Sequence, residues 1–146
     1  MAYLFEFKRY RLPLAATLRT AHGSWTEREG LIVRLESEAG RVGFGEIAPL
    51  PWFGTETLAE AEEICRKFGH KVTDRVLDGV PGRYGCVRFA LAAARTGPAP
   101  GPGQSRLPVA ALLPAGREAL AVLPAKLAAG FLAFKWKVGV SAVEEE

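Results

Sequence analysis

One stretch constrains this chain more than any other: TGPAPGPGQ, Thr96 to Gln104, where prolines and glycines recur too densely for a helix or a strand. Proline has no amide to give to a ladder, and glycine loses too much freedom on ordering. Regular structure must stop before this stretch and resume after it, and the hydrophobic pattern changes across it as well. The organisation expected is a first domain over residues 1–96, a Pro/Gly-rich linker over 97–107, and a different kind of segment over 108–146.

Upstream of the linker, Tyr3, Phe5 and Phe7 alternate with Glu6 and Lys8, the period of a half-buried strand. Leu31 to Leu35 reads as a second strand, joined through the turn-forming ESEAG segment, Glu36 to Gly40, to a third at Val42 to Ile47. Three antiparallel strands follow. PLPWFGTET, Pro49 to Thr57, cannot continue a central strand because two prolines lack donors, and it ends in a helix-start signal. Thr57 and Glu60 have capping-box spacing; Leu58, Ala61, Ile64, Cys65 and Phe68 then recur at helical spacing until Gly69. A second helix spans about Tyr84 to Arg95, with Val87, Ala90, Leu91 and Ala94 on its buried side. Strands followed by helices predict an α+β layer.

Downstream, VAALL at Val109 to Leu113 reads as a short strand, Arg117 to Ala129 as a helix that Pro124 should kink or restart, and FKWKVGV at Phe134 to Val140 as another strand. That order is one β-α-β unit, the building block of parallel sheets and β/α barrels. In the last strand Lys135 and Lys137 share one face, while Phe134, Trp136 and Val138 share the other. If the lysines point into a barrel, burial and a like charge about 7 Å away both disfavour the ammonium, and one of them can serve as a base near neutral pH. The same spacing also fits an exposed edge strand that carries lysines to block aggregation.

Composition narrows the function classes. With 49% apolar and 24% charged residues, the 146-residue chain has the makings of an ordinary globular core, and no apolar run approaches the roughly 18 residues a membrane-spanning helix needs. Nineteen basic and sixteen acidic groups are scattered, leaving a net charge of +3 without a basic, aromatic-interleaved stripe, so neither nucleic acid nor a membrane is an expected partner. The N-terminal MAYLFEFKRYR places its charges after its apolar residues, the reverse of a secretory signal, and a cytoplasmic protein is expected. Cys65 and Cys86 lack metal or redox spacing and read as ordinary buried thiols.

Several segments together resemble the enolase superfamily and, within it, the o-succinylbenzoate synthases of menaquinone and phylloquinone biosynthesis. They are YRLPL (Tyr10 to Leu14), REGLIVRL (Arg28 to Leu35), GFGEIAPLPWFGTET (Gly43 to Thr57), VRFALAAA (Val87 to Ala94), LPVAALLPAG (Leu107 to Gly116) and FKWKVGV, in the family's order along nearly the whole chain. The resemblance implies an α+β capping domain followed by the start of a β/α barrel, with two mobile loops that close over the barrel mouth. These loops correspond to about Thr20 to Thr26, with His22, Gly23, Ser24 and Trp25, and to Pro49 to Thr55, with Trp52 and Phe53, as candidate substrate contacts. By the same resemblance Lys137 is the base and Lys135 tunes it and steadies an enolate. The reaction implied is syn-dehydration of a succinyl-hydroxycyclohexadiene carboxylate, a small-molecule carboxylate substrate, with Mg²⁺ stabilising an ene-diolate.

The family's metal carboxylates lie on later barrel strands, so the Mg²⁺ ligands are expected C-terminal to this chain, and the 146 residues alone are expected to be inactive. A β/α barrel needs about 200 residues or more. Glu144, Glu145 and Glu146 read as the start of a helix rather than as ligands. Glu46 suits a structural hydrogen bond as well as a catalytic role, and His22, Trp25, Trp52 and Phe53 suit local packing as well as a lid. Two other readings stay open. One is a different enolase-superfamily chemistry, muconate cycloisomerisation or dipeptide epimerisation. The other is a non-catalytic α+β module that associates through an uncovered barrel edge bearing Phe134 and Trp136.

Overall fold

The computed structural model describes residues 1–20, 22–97, 107–136 and 138. The chain divides into two compact units, Met1–Pro100 and Gly101–Glu146.

The first unit is built on one long hairpin. Strand β1, Ala2–Thr20, runs antiparallel to β2, Gly23–Ser37, from Tyr3↔Ser37 to Pro13↔Glu27, and after a shift in register from Leu18↔Trp25 to Thr20↔Gly23. Strand β3, Val42–Ile47, pairs antiparallel with the other edge of β2. Helix α1, Leu58–Phe68, strand β4, Lys71–Thr73, helix α2, Asp74–Asp78, and helix α3, Gly85–Thr96, complete the unit. Strand β4 pairs antiparallel with the start of β1, which makes the sheet four-stranded in the order β3-β2-β1-β4. The α+β expectation therefore holds with one more strand than the three expected. KVT and the five residues of α2 are too short for their periodicity to stand out in the sequence.

Alternation puts Tyr3 and Phe5 of β1, Leu31, Val33 and Leu35 of β2 and Ile47 of β3 on one face, where they meet Ala61 and Cys65 of α1 and Val87, Ala90, Leu91 and Ala94 of α3. Phe5 and Phe68 pack edge to face at 5.2 Å. The other face is polar in part, with Arg34 bridging Glu36 at 2.6 Å and Glu6 at 3.2 Å. Thr57 and Glu60 form the anticipated capping box, and Gly69 stops α1 with φ +66°. Burial pushes the Cys65 thiol up to about 12, consistent with an inert core thiol, while Cys86 is half-buried.

How closely α3 lies on the sheet is decided by two glycines. A Cβ on Gly43 would overlap the Ala94 carbonyl, and a Cβ on Gly45 would overlap the Ala90 carbonyl. The helix backbone thus rests directly on β3, an approach that any side chain would block.

In the second unit, β5, Ala111–Leu112, and β6, Phe134–Lys135, pair parallel, with helix α4, Glu118–Ala128, between them. This is the expected β-α-β order, with the first strand shorter than the expected Val109 to Leu113; of the expected last strand, Lys137, Gly139 and Val140 lie outside the described residues. Helix α4 runs through Pro124 as one segment. Ala111, Leu113 and Ala119 are buried, whereas Val109, Leu112, Leu120, Leu127, Leu132 and Trp136 are exposed. Residues 98–106 of the 97–107 linker, Lys137, and Glu144 to Glu146 lie outside the described residues. Among the described residues, no helix is long and apolar enough to cross a membrane.

The chain start is tied down by Asp74, whose carboxylate accepts from the Met1 amine at 2.7 Å, the Tyr3 hydroxyl at 3.1 Å and Arg95 at 3.5 Å. The bond from Met1 holds the Asp74 carboxyl below the usual range, and the same bond raises the amine. A depressed carboxyl stabilises the fold above its unfolded value of about 4 and loses that contribution as pH falls through its lower folded value. A raised amine contributes below about 8 and loses its share as pH rises through its folded value. Asp74→Asn should therefore flatten both limbs of the stability-versus-pH curve, measured as urea midpoints. Gly45→Val should lower stability at neutral pH by about 1–3 kcal/mol through overpacking against α3, read from the same urea titration.

Candidate functional site

The β1–β2 ladder does not end where alternation fades. Beyond Pro13↔Glu27, β1 carries surplus residues, and pairing resumes at Leu18↔Trp25. The anticipated loop over Thr20 to Thr26 is thus largely the end of a two-stranded ribbon. At its tip the Thr20 hydroxyl accepts from the His22 amide at 3.1 Å and donates to the Gly23 carbonyl at 2.9 Å. Gly23 has φ +114°, a conformation that L side chains rarely adopt.

The second loop leaves β3 at Ile47. Pro51–Phe53 form a single 3-10 turn closed by Gly54, whose φ is +82° and whose amide donates to the Pro51 carbonyl at 2.9 Å. The Phe53 amide donates to the Leu50 carbonyl at 2.8 Å, and the Leu50 amide donates to the Thr55 hydroxyl at 2.7 Å. The loop is consequently braced by its own hydrogen bonds, with Trp52 and Phe53 at its exposed tip.

The two tips meet. Trp25 and Trp52 lie edge to face at 4.6 Å, and the His22 ring is 6.2 Å from Trp52 and 5.8 Å from Phe53. Four of the six candidate substrate contacts thus form one aromatic cluster, flanked by Gly23 and exposed Ser24. Phe53 is 72% exposed and Trp52 42% exposed, so the cluster presents apolar surface to whatever lies beyond it.

Adjoining the cluster is a polar layer of which the sequence-based assignment held only Glu46. Arg28 donates from Nη1 to the Pro49 carbonyl at 3.1 Å and from Nη2 to the Ala48 carbonyl, and its guanidinium lies 5.7 Å from the Trp25 ring centre. The Tyr10 hydroxyl donates to Glu46, which gives Glu46 a structural hydrogen bond. Burial, with that bond second, pushes the Tyr10 phenol up to about 12. Gly30 leaves room for the phenol, since a Cβ there would strike the Tyr10 ring.

Buried Glu56 follows the loop and accepts from the amides of Cys86 at 3.3 Å and Val87 at 2.8 Å. Tyr84, at the N-cap of α3, makes no side-chain cap bond, so Glu56 caps that helix from a distant part of the chain, where its charge suits the helix N-terminus. Arg28 and Tyr10 fall in segments with recognisable family spacing, yet nothing in their local pattern distinguishes them from surface polar residues. Glu56 is separable only through the helix start that follows it.

Lys135 lies on β6 and is exposed; Lys137 lies outside the described residues. Among the described residues, no group of three or more His, Cys, Asp or Glu side chains could hold a metal ion. A cavity of about 950 Å³ lies along β1 and the end of α1, lined by Phe5, Tyr10, Cys65 and His70 among others, with no loop-tip residue in its lining. Because that space is an open groove along a strand edge, the aromatic cluster remains the better candidate for a substrate contact.

Comparison with known proteins places this arrangement. A family model described as the MenC N-terminal domain matches residues 3–97, the whole α+β unit up to the linker. The chain belongs to the MenC N-terminal domain family. The o-succinylbenzoate synthase of Thermosynechococcus vestitus is 38% identical over 143 residues, which cover 97% of this chain and 44% of that protein. That of Edwardsiella ictaluri is 54% identical over 59 residues, 40% of this chain and 18% of that one. The chain spans less than half the length of these curated relatives. Among solved structures, the o-succinylbenzoate synthase of Thermosynechococcus elongatus BP-1, complexed with magnesium in its active site, superposes with a TM-score of 0.85 at 37% identity, covering 97% of this chain and 45% of that one. A dipeptide epimerase from Methylococcus capsulatus matches with a TM-score of 0.69 at 23% identity, over 94% of this chain and 46% of the epimerase, a likeness of fold alone. The aromatic tips and polar layer described above thus belong to a MenC N-terminal domain.

Replacing Glu56 with Ala should cost about 2–3 kcal/mol, because two backbone amides at the start of α3 lose a charged acceptor in a buried setting. Glu56→Gln, which keeps an acceptor but not the charge, should cost less. Thermal and urea unfolding of the two variants side by side measure the difference.

Proposed function

We propose that this chain is the N-terminal part of an o-succinylbenzoate synthase, supplying the capping domain, the substrate-contacting loops and the strand that carries the base. The observation that carries the reading is the 38% identity to an o-succinylbenzoate synthase across 97% of the chain, which includes both loops and the FKWKVGV segment. The joined tips of His22, Trp25, Trp52 and Phe53 support it, because an apolar, exposed aromatic rim suits a ligand whose ring must be kept from water.

On this reading the substrate is a succinyl-hydroxycyclohexadiene carboxylate and the reaction a syn-dehydration to o-succinylbenzoate in menaquinone or phylloquinone biosynthesis, by a cytoplasmic carbon–oxygen lyase. Lys137 removes the proton next to the carboxylate and Lys135 lowers its neighbour's affinity for a proton. Lys135 is exposed on the two-stranded sheet. The burial that makes a lysine basic at neutral pH must therefore come from flanking barrel strands of a longer protein. The described residues do not make a magnesium site, and the magnesium requirement of this reading falls on residues C-terminal to this chain. His22, Gly23, Ser24, Trp25, Trp52 and Phe53 bind and enclose the substrate without taking part in proton transfer.

Incubating the full-length protein and the 146-residue chain separately with substrate and Mg²⁺ tests the proposal. The full-length protein should turn over and the chain alone should not. Lys137→Ala in the full-length protein should reduce kcat by about 10²-fold or more, the scale of a lost general base. Turnover by the 146 residues alone, or a full-length protein indifferent to Lys137→Ala, would refute the assignment.

A further inference from the structure

We propose that Arg28 is a positioning residue that fastens the two loops into a single lid; this rests on the reading above that the loop tips contact substrate. The backbone ladder between β2 and β3 ends at Leu31↔Ile47, and the chain then enters Ala48-Pro49-Leu50-Pro51, where the prolines have no amide to extend the pairing. Where the backbone stops holding the second loop, a side chain from β2 takes over. The guanidinium grips two successive carbonyls, of Ala48 and Pro49, through its two terminal nitrogens. Such charge-assisted bonds are stronger than neutral ones, and the planar fork suits two acceptors at once.

The same guanidinium reaches into the first loop. Its ζ carbon is 5.7 Å from the Trp25 ring centre, and Trp25 in turn lies edge to face with Trp52 at 4.6 Å. Trp52 is three residues beyond Pro49, so the contacts close a circuit: Arg28 to the start of the second loop, along that loop to Trp52, across to Trp25, and back to Arg28. A shallow depression between ribbon and loop is lined by Ser24 to Glu29 and Trp52, with Arg28 among its walls. Arg28 is also placed where it can govern the ribbon. It occupies the Leu12↔Arg28 rung, one step below the last regular pair, Pro13↔Glu27, while Trp25 sits on the first pair beyond the surplus residues. The ribbon is least constrained between those two rungs, and the guanidinium–indole contact spans them.

The neighbouring charges leave Arg28 to this task. Glu27 pairs with Arg11, Glu29 pairs with Arg9 and Arg11, and Glu46 accepts from Tyr10. Among the described residues Arg28 makes no ion pair: its hydrogen bonds go to backbone carbonyls, and its guanidinium lies near an indole. Lysine cannot replace it, because a single ammonium cannot reach both carbonyls while lying against the ring.

The test uses the full-length protein with Arg28→Met and Arg28→Lys, and Trp25→Phe as the reference that removes the indole pair. Two readouts are taken: the Trp25–Trp52 exciton couplet in circular dichroism, and kcat and KM separately. Both Arg28 variants should lose the couplet as fully as Trp25→Phe does. KM should rise about tenfold while kcat stays within about threefold, since a disordered lid weakens binding without touching the reacting atoms. Arg28→Lys should keep a thermal midpoint close to the parent, which separates positioning from a purely structural role; if Arg28→Met fails to fold, Arg28→Lys and Arg28→Gln carry both readouts. A retained couplet overturns the proposal whatever the activity, and so does a lost couplet with unchanged KM. Absence of dehydratase activity in the parent protein would sink the functional reading instead, and the couplet would still decide whether Arg28 joins the loops.

Discussion

The pairing of β1 with β2 is the interaction on which everything else in the first unit depends. One antiparallel hairpin, interrupted only by the shift in register after Pro13, supplies the centre of the sheet at its base and the aromatic tip at its far end. At the base, period-2 alternation commits Tyr3, Phe5, Leu31, Val33 and Leu35 to the helix-covered face, and a slip of one residue would turn them all to solvent. Register is therefore strongly specified where the core is, as far as Pro13↔Glu27, and a second run of pairs from Leu18↔Trp25 carries the ribbon to the place where His22 and Trp25 meet the second loop.

The second constraint is how the chain manages the loss of backbone pairing. Between Ile47 and Thr57 two prolines remove donors, and the structure replaces the missing ladder with side chains: Arg28 on the Ala48 and Pro49 carbonyls, Thr55 on the Leu50 amide, and Glu56 on the amides at the start of α3. Arg28 connects the loop to β2 and Glu56 connects its far end to α3, while Thr55 closes the loop on itself. The loop is held at both ends while its tip stays exposed, an arrangement in which a contact surface is set by a rigid scaffold rather than by its own packing.

Much of this fold was legible in the residues. Helix α1 could be read from its capping box and Gly69, α3 from the spacing of Val87, Ala90, Leu91 and Ala94, and the β2–β3 hairpin from its alternation, because in each case local preference and burial agree. Strand β4 and helix α2 were not, since three and five residues carry too little periodicity. The ribbon beyond Pro13 was missed for a different reason: it is not buried on one face, so Leu14, Ala15, Ala16 and Thr17 follow no alternation to detect. The aromatic members of the site stood out as bulky residues at expected loop tips. Arg28, Tyr10 and Glu56 did not, because their partners are distant in sequence and only the tertiary fold brings them together. Glycines 43 and 45 were likewise part of a quoted motif without any local sign that a helix backbone rests on them.

The surplus on β1 between Pro13 and Leu18 has a further meaning. Four residues on one strand stand against Thr26 alone on the other, an excess of three, and an odd excess reverses which side of the ribbon each later β1 residue faces. Insertions and deletions at this spot are insulated from the core by the unbroken rungs from Tyr3 to Pro13. A change of one residue would reverse the sides that Leu18 and Thr20 face at the end of β1, whereas Trp25, on the unbroken run of β2, would keep its own side. The bulge is thus a place where the strand beneath the aromatic tip can vary in length while every buried side chain of the sheet keeps its place.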